Sequence, residues 1–108
     1  MEVEVRDEGR ICVVRLSGDV DLESSPVARR ALLASTERSR CVLVDLSAVK
    51  YIDSSGIASL VEAYQSARGK QIAFALAAVS PEALRVLQLA RLDKVFTIYA
   101  TVADGLGA

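Results

Sequence analysis

Short apolar runs alternate with segments of helical periodicity in the second half of this chain. CVLVDL at 41–46, QIAFALAAV at 71–79 and VFTIY at 95–99 are each typical of a β-strand that is covered by other elements. Two helical patterns separate these runs, and a third helix is predicted before the first run. Because strands that alternate with helices form a layered α/β domain, this order constrains the fold more than any other feature.

The N-terminal residues add an antiparallel pair of strands. VEVRDEG alternates apolar and polar side chains, DEGR can turn at Gly9, and ICVVRLSG returns, so residues 2–17 are predicted to form a hairpin. GDVDLESSP at 18–26 is predicted to be a loop, and SAVKYI at 47–52 a link. We therefore predict a single α/β domain over residues 1–108, with a mixed central sheet (the N-terminal hairpin plus interleaved strands) packed with about four helices.

Each of the first three helices has a start signal or an apolar face. Ser24 or Ser25 can cap the first helix, and Ser80 can cap the third. In both helices a proline follows in the first turn. The last segment, TVADGLGA, is a weak fourth helix because it contains two glycines. The first helix should end near Ser39 and the second at Gly69. The side chains expected to reach the core are Val27, Ala31, Leu32 and Ala34 in the first helix and Ile57, Leu60, Val61 and Tyr64 in the second.

Composition excludes several classes of function. The chain has 108 residues, 52% of them hydrophobic, and a formal net charge of -1, which gives no electrostatic reason to bind nucleic acid or an anionic membrane. There is no His, so neither a Ser-His-Asp nor a Cys-His centre can form, and two Cys without His cannot make an ordinary zinc site. We expect no catalytic residues, no cofactor and no metal.

The sequence also indicates the cellular location of the protein, the state of its cysteines and the role of its densest basic group. The N-terminus is polar rather than a signal peptide, and no apolar run approaches the roughly 20 residues that span a bilayer, so we expect a cytoplasmic protein without membrane insertion. Cys12 and Cys41 lie in apolar runs and are expected to be buried, reduced thiols. The densest basic group is interpreted as a solvated helix face and its exit rather than an anion site; it comprises Arg29, Arg30, Arg38 and Arg40.

One polar stretch, DSSG at 53–56, directly precedes the apolar pattern of the second helix. Its structural interpretation is a well-built helix start, with Asp53 as the N-cap and with Ile52 and Ile57 as a hydrophobic staple. Gly56 does not fit that interpretation, because a glycine inside the first turn costs about 0.5–1 kcal/mol against alanine. It is explained if something approaches the backbone closely.

The functional interpretation is that a serine hydroxyl in this stretch accepts a phosphate. A helix N-terminus carries about half a positive charge, so a phosphate is tolerated there and contributes about 0.3–2 kcal/mol in favour. The fold would survive the modification, and its effect would fall on a partner. The residues alone leave both interpretations open.

Longer segments carry a family resemblance. VLVDLSAVKYIDSSGIASL, RLSGDVDLESSPVAR and SPEALRVLQLARLDKVF resemble the STAS domain, and as a stand-alone domain the chain is most similar to bacterial anti-sigma factor antagonists. The resemblance implies a regulator rather than an enzyme. It implies binding to an anti-sigma factor that is also a serine kinase using ATP and Mg²⁺, which frees a sigma factor; phosphorylation ends the binding and a serine phosphatase reverses it. We expect a monomer or weak dimer.

The resemblance also assigns roles to individual residues. In the D-S-[ST]-G pattern the phosphate acceptor precedes the glycine, which here is Ser55. Ser54 would be its hydrogen-bonding neighbour and Asp53 the cap and charged rim. Asp21, with Asp19 close by, is either a partner contact or a solvated, capping acid. The partner-binding set is thus Asp19, Asp21, Asp53, Ser54, Ser55 and Gly56.

Another branch of the family provides the alternative function. STAS subunits of membrane transporters, such as phospholipid-transport ATP-binding-cassette systems, act as scaffolds and often lack an acceptor serine before the glycine. Ser55 therefore favours the phosphorylation switch. The short segment TVADGLGA departs from the longer C-terminal helix common in the family.

Overall fold

The chain is built on one five-stranded sheet in which neighbours along the sequence are also neighbours in space. The structure, a computed structural model, describes residues 1–108. β1 pairs antiparallel with β2, and every later pair is parallel, which confirms the predicted mixed sheet. The strands are β1 (Glu2–Glu8), β2 (Ile11–Val20), β3 (Cys41–Ile52), β4 (Ala73–Ala77) and β5 (Thr97–Tyr99).

Three helices cover one face of this sheet and a short fourth helix covers the other. The helices are α1 (Ser25–Arg38), α2 (Ser54–Gly69), α3 (Pro81–Leu89) and α4 (Val102–Leu106), with a short 3-10 turn at Leu92–Lys94. Right-handed crossovers between strands laid down in consecutive order place α1, α2 and α3 on the same side. Alternate residues of β2 and β3 accordingly divide between two apolar clusters, a large one under these helices and a small one under α4. None of the helices combines the length and the apolar character that spanning a bilayer requires.

β2 and β3 extend further than the sequence predicts. Residues 18–20, predicted as loop, continue β2, and residues 47–52, predicted as a link, continue β3. The two extensions pair with each other as far as Val20 and Ile52, and the β2–β3 ladder contains two shifts of register. The prediction was wrong because Gly18 and Asp19 are residue types depleted from strands and Lys50 interrupts the apolar pattern of residues 47–52. Pairing with a neighbouring strand satisfies the backbone of these segments regardless of composition.

The face of α1 that enters the core also differs from the prediction. Leu32 is fully buried as expected, but Val27 and Ala34 are exposed and Ala31 is only half-buried. The other buried positions of α1 are Ser25, Ala28, Ser35 and Thr36. The hydroxyls of Ser35 and Thr36 donate to carbonyl oxygens of their own helix, so they can be buried without an unpaired polar group.

The weak C-terminal helix does form. Thr101 caps α4 by accepting a hydrogen bond from the Asp104 N–H at 3.0 Å. Gly105 lies so close to Leu43 that a Cβ atom there would sit 2.7 Å from its side chain. The glycine that lowers helix propensity is therefore also what lets α4 approach the sheet.

Gly56 marks the closest approach between α2 and the sheet. A Cβ atom at this position would lie 2.7 Å from the Val20 carbonyl oxygen and 2.6 Å from the side chain of Ile52. The close approach inferred for this glycine is therefore an approach of the protein's own backbone. By contrast, Gly69 ends α2 as predicted and has nothing within 4 Å of its Cβ position.

We expect Gly56→Ala to lower the free energy of unfolding by about 1–3 kcal/mol, because the added methyl meets a backbone carbonyl that cannot move aside. Urea denaturation measures this change. Gly69→Ala is the matched control: it should leave stability unchanged or raise it by up to about 1 kcal/mol. Equal effects of the two substitutions would contradict the packing argument.

Candidate functional site

Two loops meet at the carboxyl edge of the sheet. Asp21 directly follows Val20 at the end of β2, and Asp53 directly follows Ile52 at the end of β3. Val20 and Ile52 are paired in the ladder, and the Asp53 N–H donates to the Val20 carbonyl oxygen at 3.2 Å. The two segments singled out in the sequence, SGDVD and IDSSG, are therefore adjacent in the folded chain.

Asp53 is the N-cap of α2, as predicted. Its Oδ1 accepts hydrogen bonds from the backbone N–H groups of Ser55 at 2.9 Å and Gly56 at 3.2 Å. Ile52 and Ile57, the predicted staple, are both buried in the large core cluster. The start of α2 is thus held by its cap on the outside and by apolar packing on the inside.

Ser54 and Ser55 occupy the first two positions of α2. Ser54 is exposed and Ser55 is partly exposed. The carbonyl oxygen of Ser55 accepts from the Ser59 hydroxyl at 3.1 Å, but the Ser55 hydroxyl makes no hydrogen bond within the chain. It is therefore free to react or to bind, at the N-terminal end of a helix, where the macrodipole favours negative charge.

Asp21 holds a tight turn before α1. Its Oδ1 accepts from the Ser24 N–H at 3.0 Å, and the Asp21 N–H donates to Ser24 Oγ at 3.0 Å. Ser24 Oγ in turn lies 2.9 Å from the Asp19 carbonyl oxygen. Ser24 occupies the N-cap position of α1, but its hydroxyl bonds this turn instead of capping the helix.

These contacts change the acidity of Asp21. Hydrogen bonds from Ser24, first from its backbone N–H and then from its hydroxyl, hold the pKa of Asp21 below its ordinary value of 3.8. The carboxylate is thus charged at neutral pH. Asp19, the last residue but one of β2, has an exposed side chain and adds a second acidic group at this edge of the sheet.

Two exposed apolar side chains at this edge of the sheet were not predicted from the sequence. Leu22 is 75% exposed and Tyr51 is 52% exposed. Tyr51 is the ladder partner of Asp19, and Leu22 follows Asp21 in the loop. A leucine inside the polar GDVDLESSP segment is the signal that could have identified the first; nothing in the sequence showed that Tyr51 would face solvent.

Two further charged side chains, one acidic and one basic, lie near these residues. Glu23 follows Leu22 and is exposed, and Lys50, also exposed, precedes Tyr51. With Asp19, Asp21 and Asp53 the surface is predominantly acidic. No group of three or more His, Cys, Asp or Glu side chains gathers to hold a metal ion. We call this surface the acidic rim: Asp19, Asp21, Leu22, Glu23, Tyr51, Asp53, Ser54 and Ser55.

The lowered pKa of Asp21 predicts a pH dependence. A depressed carboxyl pKa contributes stability that is complete above the unfolded-state value, near 3.8, and is lost as the pH falls further through the lower folded-state pKa. The urea midpoint of the wild type should therefore exceed that of Asp21→Asn at neutral pH, and the difference should shrink below pH 3.8. An Asp21 side-chain carboxyl that titrates at or above 3.8 by NMR would contradict this.

Comparison with known proteins places the chain in a family. The family model for the STAS domain matches residues 2–105. An anti-sigma F factor antagonist of Paenibacillus polymyxa is 26% identical over 108 residues, covering 98% of this chain and 92% of that protein. The crystal structure of an anti-sigma factor antagonist from Mycobacterium paratuberculosis matches with a TM-score of 0.90 at 32% identity, covering 98% of this chain and 91% of that chain.

A third protein matches in fold. The Bacillus cell fate determinant SpoIIAA, in its phosphorylated form, gives a TM-score of 0.79 at 17% identity, covering 98% of this chain and 97% of that chain. At this identity the likeness concerns the fold alone. Since the family model spans nearly the whole chain, and the fold matches that of an anti-sigma factor antagonist at 32% identity, the chain belongs to the STAS domain family.

Proposed function

We propose that this protein is an anti-sigma factor antagonist whose binding is switched off by phosphorylation of Ser55. The observation that supports the proposal is the Ser55 hydroxyl, which is partly exposed and unbonded at the start of α2 and lies on the acidic rim. The relatives from Paenibacillus polymyxa and Mycobacterium paratuberculosis are both anti-sigma factor antagonists. By this proposal the chain acts in the cytoplasm as a binding protein, not as an enzyme.

The helix start explains why modification would leave the fold intact. A phosphoserine adds a charge of about -1.5 to -2 at a helix N-terminus, where the macrodipole favours anions. The Asp53 carboxylate already accepts from the N–H groups of Ser55 and Gly56, so the phosphate would stand outside an existing cap. SpoIIAA, which shares this fold, retains it in a phosphorylated form.

The same charge would oppose binding to a closely packed partner. Leu22 and Tyr51 expose apolar surface on the same rim as Ser55, which suits a partner that covers the rim and excludes water. A phosphate dianion in that interface would lose its hydration and face the charge of Asp53 at close range. A loss of about 3–4 kcal/mol weakens binding a few hundredfold, enough for a switch without a change of shape.

The proposed cycle needs two enzymes. An anti-sigma factor that is a serine kinase, using ATP and Mg²⁺, binds the unmodified rim and then transfers a phosphate to Ser55. A serine phosphatase restores the hydroxyl. This chain contributes the acceptor oxygen, the helix end that tolerates the charge, and the acidic and apolar contacts that select the partner.

The second candidate is a scaffold subunit of a membrane transporter, which would use the same surface without phosphorylation. The uncharged, exposed apolar pair Leu22 and Tyr51 suits either partner. Capture from extract of the host cell, followed by mass spectrometry, separates the two: an anti-sigma kinase supports the switch, and a transporter ATPase supports the scaffold.

Phosphorylation is tested with the captured kinase, ATP and Mg²⁺. We expect one phosphate per chain, on Ser55, and none on the Ser55→Ala variant, which should still bind the kinase. Ser54→Ala is the matched control, because Ser54 is the more exposed neighbour on the same turn, and it should still be phosphorylated. The phosphorylated protein should bind a few hundredfold more weakly by calorimetry. A phosphate on Ser54, or unchanged binding after modification, would contradict the proposal.

The apolar contact is tested with two equally exposed leucines. Leu22→Ala should weaken binding of the captured partner about tenfold, because the side chain is 75% exposed in the free protein and becomes buried in the complex. Leu89→Ala is the control: Leu89 is 80% exposed but lies at the end of α3. Its substitution should change binding less than twofold, and similar losses in both variants would place the interface elsewhere.

A further inference from the structure

A pocket opens at the amino edge of the sheet, opposite the edge that bears Ser55. It lies between the beginnings of β2, β3 and β4 and the short helix α4, and has a volume of about 560 Å³. Ile11, Cys41 and Ala73, which are in register on three adjacent strands, form part of its wall. This volume falls in the range of about 300–1,000 Å³ that is typical of small-molecule sites.

Small side chains account for the empty space. Ala73 and Ala75 of β4 line the pocket where larger residues would fill it. α4 is five residues long and is already seated against Leu43, so it cannot extend over the rest of this face. The lining is mostly apolar and includes Phe74, Leu43 and Tyr99, together with the last residue, Ala108.

A basic cleft adjoins the apolar pocket. Its walls hold three arginines and one acid, and it shares Arg10 and Arg40 with the pocket. The Arg38 guanidinium lies 3.7 Å from the carboxylate of Asp7, the only acidic residue of the cleft. Arg10 and Arg40 therefore have no acidic partner. From the sequence, Arg38 and Arg40 are interpreted as part of a solvated face, because the sequence does not show that the β1–β2 turn brings Arg10 into the same cleft.

We propose that this pocket binds a single-chain anionic amphiphile, with the alkyl chain in the apolar part and a carboxylate or phosphate head between Arg10 and Arg40. Charge complementarity selects the ligand class: guanidinium groups pair with planar carboxylates and phosphates, and the apolar wall accepts an unbranched chain. The site stands apart from the acidic rim and does not depend on the function proposed for Ser55.

Cys41 provides a built-in reporter of occupancy. It lines the pocket and is half-buried, whereas Cys12 is fully buried and serves as an internal control. Burial raises the pKa of the Cys41 thiol, so labelling with a neutral maleimide is followed at alkaline pH. Dodecanoate below its micelle concentration should slow labelling of Cys41 at least fivefold and saturably. Dodecyl phosphate tests the other head group; dodecanol and acetate test the chain alone and the head alone.

Calorimetry with variants tests the head and the chain separately. Arg10→Ala and Arg40→Ala should each weaken dodecanoate binding about tenfold, while dodecanol changes less than twofold. Arg30→Ala, on the exposed face of α1, is the matched charge control and should have no effect. Ala73→Leu should fill the pocket and abolish binding of every ligand with a chain.

Three results would overturn the proposal. One is the absence of saturable protection of Cys41 by dodecanoate and by dodecyl phosphate. Another is dodecanol binding as tightly as dodecanoate together with no effect of either arginine variant, which would remove the anionic head from the site. The third is binding that survives Ala73→Leu unchanged, which would show that the chain lies elsewhere.

Discussion

Parallel pairing of β2 with β3, continued to Val20 and Ile52, is the constraint on which the rest of the molecule depends. Parallel strands end at the same edge of a sheet, so this pairing puts the loop after β2 beside the start of α2. The Asp53 N–H closes the pair by donating to Val20, and Gly56 lets the helix approach that same carbonyl group. If β2 ended where its hydrophobic pattern ends, the acidic rim would be divided between two separate loops.

The start of α2 separates stability from recognition. Asp53 and the buried pair Ile52 and Ile57 hold the helix end, and none of these contacts uses the Ser55 hydroxyl. That hydroxyl can therefore change its charge while the cap and the core remain as they are. Under the function proposed here, this division is what allows a modification to act on a partner without acting on the fold.

The two edges of the sheet differ in charge and shape. The carboxyl edge bears acids and two exposed apolar side chains around a helix start. The amino edge is hollow and bears arginines without acidic partners. The hollow exists because only the five-residue α4 covers that face of the sheet. A chain of net charge -1 thus carries two surfaces of opposite sign, a property that its composition conceals.

The sequence by itself determined the α/β class, the order of the elements, the cap at Asp53 and the STAS family, since all of these depend on local patterns and short motifs. Tertiary structure alone decided the length of β2 and β3, the buried face of α1, the exposure of Tyr51, and the placement of Arg10 and Arg40 in one cleft. The physical reason is the same in each case. Backbone pairing and burial are supplied by residues distant in the chain, so a polar strand can be satisfied and an apolar side chain left exposed without any local sign.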